Sequence, residues 1–370
     1  MKHLSIISIA LITLLTILSI FSISTINLAF AQYDNSECTT SSPINFQTTK
    51  NKYLSKLSKY QDICKSSVVK QLMFFVPTPS EYTSTLEISY ELFSNISAFS
   101  KHNIRPLIVM EPTFYYGTLM SFQELKTGKF NKWINFLFER LTLMNISEDE
   151  LGTIVLMPEV NTPLWNYDGA SKQDVGLIVN NYSSQILKNY PKAKLTLMLN
   201  NLTFDPGDEN WENPTNSPFT EYTKLITPNT LYSVGLQAFP MIGPKNNSKL
   251  NIKDPDEYLN IVNIEELAQA LNVKSIWFNT GSFVSKYLNP QKRQLIDANQ
   301  VIDQVKKTST IAYQLKRKGY EMNINYFLED KSKTKEETNW SLLDSKFSEA
   351  FRTLVKHNNA RVIGLSIFDK

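Results

Sequence analysis

The chain has 370 residues and a formal charge of +3, with 38 basic and 35 acidic side chains interspersed along it. This balance gives no basis for a nucleic-acid partner, which calls for a basic patch or stripe. There are three histidines, and His3 lies in the apolar amino terminus, so His102 and His357 alone argue against a metal centre or a Ser-His-Asp site. Acid–base chemistry would therefore come from carboxylates, and we expect no metal and no cofactor.

The first 31 residues have the pattern of an export signal. Lys2 precedes an apolar run from Leu4 to Phe30, and the small residues of Ala29-Phe30-Ala31 predict cleavage before Gln32. The run is also long enough to cross a bilayer as an uncleaved anchor. We expect a protein that is secreted or held on the extracellular face of the cell membrane, with membrane contact only if this segment is retained.

Residues 32–70 form a leader segment ahead of the main domain. It carries the two cysteines of the chain, Cys38 and Cys64, which predict one disulfide in an oxidising compartment. Six Asn-X-Ser/Thr sequons fit an exported glycoprotein. They begin at Asn95, Asn145, Asn181, Asn201, Asn246 and Asn339.

Residues 71–370 alternate short apolar runs with helical patterns. The predicted strands are Gln71–Val76, Pro106–Met110, Thr153–Met157, Lys194–Leu199, Tyr232–Phe239, Lys274–Phe278, Asn323–Leu328 and Arg361–Phe368. The predicted helices are Thr85–Lys101, Phe122–Met144, Lys172–Asn189, Ile264–Leu271, Pro290–Lys318 and Ser341–His357. Continuous apolar strands separated by helices predict a parallel sheet, and eight of them predict a single-domain α/β fold, the (β/α)8 TIM barrel. An open doubly wound sheet is the alternative, but no Gly-X-Gly-X-X-Gly turn follows any strand.

Polar and aromatic side chains collect where these strands end, which in a TIM barrel is the catalytic rim. Cleavage of a glycosidic bond needs two carboxyl groups, while sugar hydroxyls need amides and sugar rings need flat aromatic surfaces. We therefore predict Glu159 as the general acid/base and Glu329 as the nucleophile. The predicted substrate-binding residues are Glu111, Tyr115, Asn161, Trp165, Asn200, Gln237, Phe239, Trp277, Asn279 and Tyr326. The same polar rim would also fit an aldolase-like or a purely sugar-binding barrel, and Glu159 would then be a capping or solvated loop acid.

Several segments resemble β-mannanase-type glycoside hydrolases, family 26 and its relatives in the large clan of retaining glycosidases. Arg105–Pro112 resembles their strand that ends in Glu-Pro, and Val234–Phe239 is similar to their Asp-Trp-Val-Gly-Leu-X-X-Tyr strand. Ile154–Asn161, with Trp165 behind it, is similar to their Arg-Pro-X-His-Glu-Met-Asn-Gly segment, in which the Glu is the acid/base. The resemblance implies a retaining hydrolase of β-linked glycans with Glu159 as its acid/base.

The chain departs from that family in two ways. Pro158 stands where the family has a histidine, and Glu159 follows the third predicted strand, whereas the clan places its acid/base on the fourth strand and its nucleophile on the seventh. Either the topology is shifted or an earlier strand escapes the pattern. In the second case Ile276–Gly281 becomes the seventh strand and offers Asn279 where the nucleophile belongs.

The sequence therefore predicts an exported glycoside hydrolase that cleaves a β-linked polysaccharide or envelope glycan by a two-carboxylate retaining mechanism. Its partner would be a polysaccharide or oligosaccharide, and the carboxyls of Glu159 and Glu329 would lie about 5 Å apart. The alternative is a catalytically degenerate carbohydrate-binding or cell-surface barrel without that pair.

Overall fold

The computed structural model describes residues 71–77, 96, 105–111, 121–162, 169–201, 218–238, 259–280, 284–285, 298–327, 338–339 and 364–367. The predicted signal or anchor (1–31), the leader and the pair Cys38 and Cys64 lie outside these residues. No described helix is long and apolar enough to span a bilayer.

Eight parallel strands close into one barrel, which confirms the predicted fold class. The strands are β1 Gln71–Pro77, β2 Arg105–Glu111, β3 Thr153–Leu156, β4 Lys194–Asn200, β5 Ser233–Gln237, β6 Ser275–Thr280, β7 Glu321–Phe327 and β8 Gly364–Ile367. Each neighbouring pair is parallel, and Gln71 of β1 pairs with Gly364 of β8 to close the barrel. All eight predicted strands are present in the predicted order. They could be recognised in the sequence because strands that are covered on both faces are apolar throughout.

Helices occupy the connections between the strands. They are α1 Phe122–Lys126, α2 Asn131–Leu143, α3 Glu148–Leu151, α4 Asp174–Asn189, α5 Thr220–Thr223, α6 Ile261–Leu271 and α7 Ala298–Arg317. A short antiparallel pair, Val284–Ser285 with Thr338–Asn339, lies apart from the barrel sheet. The predicted helix Ser341–His357 and most of Thr85–Lys101 lie outside the described residues.

The predicted helix Phe122–Met144 is two helices separated by a turn. Ser121 and Glu124 form a capping box at the start of α1, and Gly128 has a left-handed backbone (φ 75°) between α1 and α2. Because a left-handed residue cannot continue a right-handed helix, the chain turns there. The predicted apolar face of α2 is nevertheless buried; it comprises Trp133, Ile134, Leu137, Phe138 and Leu141.

An apolar layer fills the barrel interior. It is built from Leu107, Val109, Val155, Met198 and Trp277. Gly235 on β5 makes room for the indole, since a Cβ at that position would lie 2.0 Å from the Trp277 ring. The indole N–H of Trp277 donates to Oγ1 of Thr196 on β4 (3.1 Å). The barrel is therefore a packed core, and any site must lie beyond this layer, at the carboxyl ends of the strands.

Candidate active site

The chain turns abruptly after β3. Met157 (φ 47°) and Glu159 (φ 52°) both have left-handed backbones, on either side of Pro158. A left-handed conformation costs a residue with a Cβ about 1–2 kcal/mol, and such strain is found mainly where function requires it. The turn therefore marks Glu159 as a candidate for chemistry on geometry alone.

Hydrogen bonds hold this strained turn in place. The Glu159 N–H donates to the carbonyl of Met198 on β4 (2.8 Å). Thr162 donates to the Glu159 carbonyl from both its backbone N–H (3.1 Å) and its hydroxyl (2.8 Å). The turn thus delivers Glu159 from the third strand to the side of the fourth.

Two carboxamides bind the Glu159 carboxyl. Nδ2 of Asn200 donates to Oε1 of Glu159 (2.9 Å), and the Gln237 side chain also hydrogen-bonds to the carboxyl. Burial raises the pKa of Glu159, while these two bonds oppose the rise by stabilising the ionised form. The residue as a whole keeps intermediate solvent exposure. A carboxyl of this kind can take up and release a proton, which is what general acid/base catalysis requires.

Asn161 lies behind this pair and is 1% exposed. Its Oδ1 accepts from the Asn200 N–H (2.7 Å) and its Nδ2 donates to the Asn200 carbonyl (2.9 Å). The side chain thus pairs with the end of β4 as a neighbouring strand would. This arrangement corrects the prediction that Asn161 binds substrate, because both ends of its amide are engaged by the protein.

Carboxamides occupy matching positions on four adjacent strands. Asn200 on β4 pairs in register with Gln237 on β5, Gln237 with Asn279 on β6, and Asn279 with Asn325 on β7. Nδ2 of Asn279 donates to Oε1 of Gln237 (2.7 Å). We call these four residues the amide ladder. It forms a polar layer above the apolar layer and beside Glu159, in which Gln237, Asn279 and Asn325 are buried and Asn200 is partly exposed.

The structure brings together five of the predicted site residues, namely Glu159, Asn161, Asn200, Gln237 and Asn279. Glu329, Tyr115, Trp165 and Phe239 lie outside the described residues, so the separation of Glu159 and Glu329 stays a prediction. Glu111 ends β2 and Tyr326 lies in β7, and the structure describes the backbone alone at both positions.

The structure corrects the prediction that Trp277 binds substrate. Its ring is 3% exposed and belongs to the apolar layer inside the barrel. The sequence pattern ended this strand at Phe278, but β6 continues to Thr280, and Trp277 therefore lies below the rim.

The strand count settles one of the two alternatives raised by the sequence. Because β1 pairs with β8 and the barrel closes on eight strands, no earlier strand precedes β1 in the sheet. Glu159 therefore follows the third strand, and Asn279 lies on the sixth. The fourth strand ends at Asn200, followed by Asn201, so amides stand at the end of that strand.

Two features of the site escaped the sequence pattern. Asn325 is fully buried in the amide ladder, but it lies inside β7 and not at a strand end, where the sequence predicted site residues. Alternation along Asn323-Ile324-Asn325 is the signal that could have found it. The second feature is the left-handed turn at Glu159. No cluster of metal-ligating side chains occurs in the part of the chain that the structure describes.

No protein-family model matches the chain, and no curated protein sequence matches it. Solved structures do. A family 1 β-glucosidase from Thermotoga maritima is 14% identical, with a TM-score of 0.51 over 81% of this chain and 86% of that one. The Thermotoga maritima β-glucosidase in complex with deoxynojirimycin is also 14% identical, with a TM-score of 0.51 over 85% of this chain and 91% of that one. The complex of the family 1 enzyme with isofagomine lactam has a TM-score of 0.50 at 14% identity, over 82% of this chain and 86% of that one. At this identity the likeness shows the fold, a TIM barrel shared with glycosidases, and it gives no specific support for family 26.

Proposed function

We propose that this protein is an exported glycoside hydrolase that cleaves a β-linked polysaccharide or an envelope glycan with retention. Glu159 is the proposed general acid/base and Glu329 the proposed nucleophile. The observation that carries the proposal is the Glu159 carboxyl, which is desolvated, bound by amides and held in a strained turn at the catalytic rim. Burial raises its pKa, as a group that must protonate a leaving oxygen near neutral pH requires.

The position of the carboxyl gives further support. The resembling clan carries its acid/base on the fourth strand, and here the turn after β3 sets the Glu159 carboxyl against Asn200 at the end of β4 (2.9 Å). Glu159 follows the third strand, but its carboxyl lies beside the end of the fourth strand, where the clan has its acid/base. The similarity of Ile154–Asn161 to the β-mannanase segment is the reason for proposing a β-linked glycan.

A panel of β-linked polysaccharides and aryl β-glycosides tests the activity. The anomer released, followed by proton NMR from the first minutes, distinguishes retention from inversion. Retention requires the two carboxyls to lie about 5 Å apart, since the nucleophile must reach the carbon whose leaving group the acid protonates. Release of the inverted anomer would remove Glu329 as nucleophile, and an absence of any product across the panel would remove the enzyme proposal.

A catalytically degenerate, carbohydrate-binding barrel is the second candidate. The observation in its favour is the pair of amides, Asn200 and Asn201, at the end of the strand where the clan has its acid/base. Calorimetry with the same glycans separates the two proposals. Binding without product release supports the second candidate, whereas turnover supports the first.

A further inference from the structure

Asn200 and Gln237, the inner amides, bind the Glu159 carboxyl, and each is bonded in turn by a second residue with a side-chain amide. We call this second pair, Asn161 and Asn279, the outer amides. Asn161 bonds to the backbone of Asn200, and Asn279 bonds to the side chain of Gln237. Both outer amides are 0–1% exposed, and their described bonds are directed at the inner amides. Two parallel chains of hydrogen bonds therefore converge on one carboxyl.

The bond from Asn279 fixes the orientation of the Gln237 amide. A carboxamide has one oxygen and one NH2 group, on opposite sides of its terminal carbon. Because Nδ2 of Asn279 donates to Oε1 of Gln237, that oxygen is occupied and the Gln237 NH2 is left for Glu159. An ionised carboxylate only accepts hydrogen bonds, so this is the orientation that it needs.

Asn161 fixes the other inner amide through the main chain. It bonds to both the N–H and the carbonyl of Asn200 (2.7 and 2.9 Å), so the Asn200 backbone is fixed at the end of β4. From that backbone Nδ2 of Asn200 reaches Oε1 of Glu159. Removing the Asn161 amide would release the Asn200 backbone and leave two partly buried backbone groups without these partners.

We propose that Asn161 and Asn279 are positioning residues that orient Asn200 and Gln237, so that both inner amides present N–H groups to the Glu159 carboxyl. The inference deepens the proposed function and rests on it only for the effect on turnover. Asn161 acts on the carboxyl through the Asn200 backbone, and Asn279 acts on it through the Gln237 side chain.

Charged groups near the Glu159 carboxyl would also shift its pKa. The described groups that act on it, Asn200 on β4 and Gln237 on β5, are neutral. The other acidic residues at or just beyond the ends of barrel strands in the sequence include Glu111, which ends β2, Glu329 and Asp330 after β7, and Asp369 after β8. Their side chains lie outside the described part of the chain, so a test must read the Glu159 titration directly.

Asn279→Leu tests the proposal, with Thr280→Val as its matched control. Thr280 is the next residue on β6, is 1% exposed, and its hydroxyl donates to the Ala238 carbonyl (2.8 Å) rather than to the network. Both variants therefore remove a described buried side-chain hydrogen bond from the same strand. The readout is the Glu159 carboxyl titration, followed by infrared difference spectroscopy or carbon-13 NMR with Glu159→Gln as the blank.

We expect Asn279→Leu to raise the pKa of Glu159, because Gln237 is no longer held with its NH2 toward the carboxylate, and Thr280→Val to leave it unchanged. Asn279→Asp should raise the pKa further, since a carboxylate at that position accepts from the Gln237 NH2, reverses that amide and adds a negative charge. Asn279→Ser, which withdraws the amide but keeps a polar group, gives the same test if the leucine variant does not fold. Equal titration in wild type and all Asn279 variants, or an equal shift in Thr280→Val, overturns the proposal.

Turnover supplies the second readout. Asn161→Ala and Asn279→Leu should lower kcat about 10- to 100-fold with KM nearly unchanged, since small misplacements of a reacting group cost rates of this order. A shifted titration without any hydrolysis by wild type would sustain the positioning proposal and reject the proposed function. A rise in KM with kcat unchanged would instead mean that the two residues bind substrate, and would overturn the positioning role.

Discussion

Two kinds of left-handed turn occur in this barrel, and they use different residues. Among the described residues, the non-glycine positions with positive φ are Asn145, Asn229, Asn272, Met157 and Glu159. The three asparagines are exposed. Asparagine suits a left-handed backbone better than other residues with a Cβ, because its short polar side chain can hydrogen-bond to nearby groups. Met157 and Glu159 do not suit it. The chain thus uses favourable residues at its exposed turns, and accepts strain where the turn sets the Glu159 carboxyl against Asn200. Such strain would fit the catalytic role proposed for that carboxyl.

The largest expected effect comes from removing that carboxyl. Glu159→Gln keeps the size of the side chain and its capacity to accept from Asn200, but it cannot donate or accept a proton in turnover. We expect kcat/KM to fall about 10²- to 10⁴-fold, the usual contribution of general acid–base catalysis. Steady-state kinetics on the best glycan of the panel measures it.

Glu321→Gln is the matched control for that loss. Glu321 begins β7, at the opposite end of the barrel, and accepts from the Tyr232 hydroxyl (3.3 Å). Its substitution should leave kcat/KM within about twofold of wild type, an estimate based on its distance from the rim. An equal loss in both variants would mean that the carboxyl at Glu159 has no special role.

The next largest effect is the loss of stability expected when a glycine with positive φ is replaced by alanine. Gly152 (φ 74°) precedes β3, and a Cβ there would lie 2.1 Å from the Pro106 carbonyl oxygen. Gly152→Ala should lower the free energy of unfolding by about 3 kcal/mol, through backbone strain and overpacking together. Urea denaturation measures the change.

Gly169→Ala is the control for a positive φ without the close contact. Gly169 has the same φ of 75°, but no atom lies within 4 Å of the position of its Cβ. We expect a loss of about 1 kcal/mol. If both alanine variants lose the same stability, the close approach of Gly152 to β2 contributes nothing.

A smaller effect is expected at one of the asparagine turns. Asn272 (φ 53°) ends α6, and its Nδ2 donates to Oδ1 of Asn229 (2.6 Å). Asn272→Ala removes an exposed hydrogen bond and places a less suitable residue in the turn, so about 1 kcal/mol should be lost. The proposed glycoside hydrolysis should not change, and a fall in its kcat would contradict the distinction between the two kinds of turn.

The smallest effect is the pH dependence of stability. Burial raises the pKa of Glu159 in the folded state, so the folded protein holds this proton more tightly than the unfolded chain does. Stability from this group is complete below the unfolded pKa, roughly 4.3, and is lost as the pH rises through the folded pKa. Glu159→Gln should therefore gain stability relative to wild type as the pH rises from 4 to 8. Urea denaturation of both proteins across this pH range measures the difference in their free energies of unfolding. A difference that stays constant with pH would contradict the raised pKa.

The sequence predicted the barrel well, and it named part of the candidate site that the structure brings together. The eight strands were recognisable because burial on both faces leaves apolar runs, and Glu159 was recognisable because charge follows the third run directly. Trp277 was misplaced because two further residues of β6 are polar and do not resemble strand. The pairing of Asn161 with the end of β4 joins residues 39 positions apart, and no local pattern reveals such a contact.

The neutrality of the amide ladder has a consequence for salt. Dissolved ions weaken attraction between separated charges, but they have less influence on uncharged dipoles that touch a partly buried group. Since the described partners of the Glu159 carboxyl are carboxamides, we expect its proton affinity to vary little between dilute and saline media. Such constancy would suit the export proposed for this protein, because the ionic strength outside a cell is not regulated.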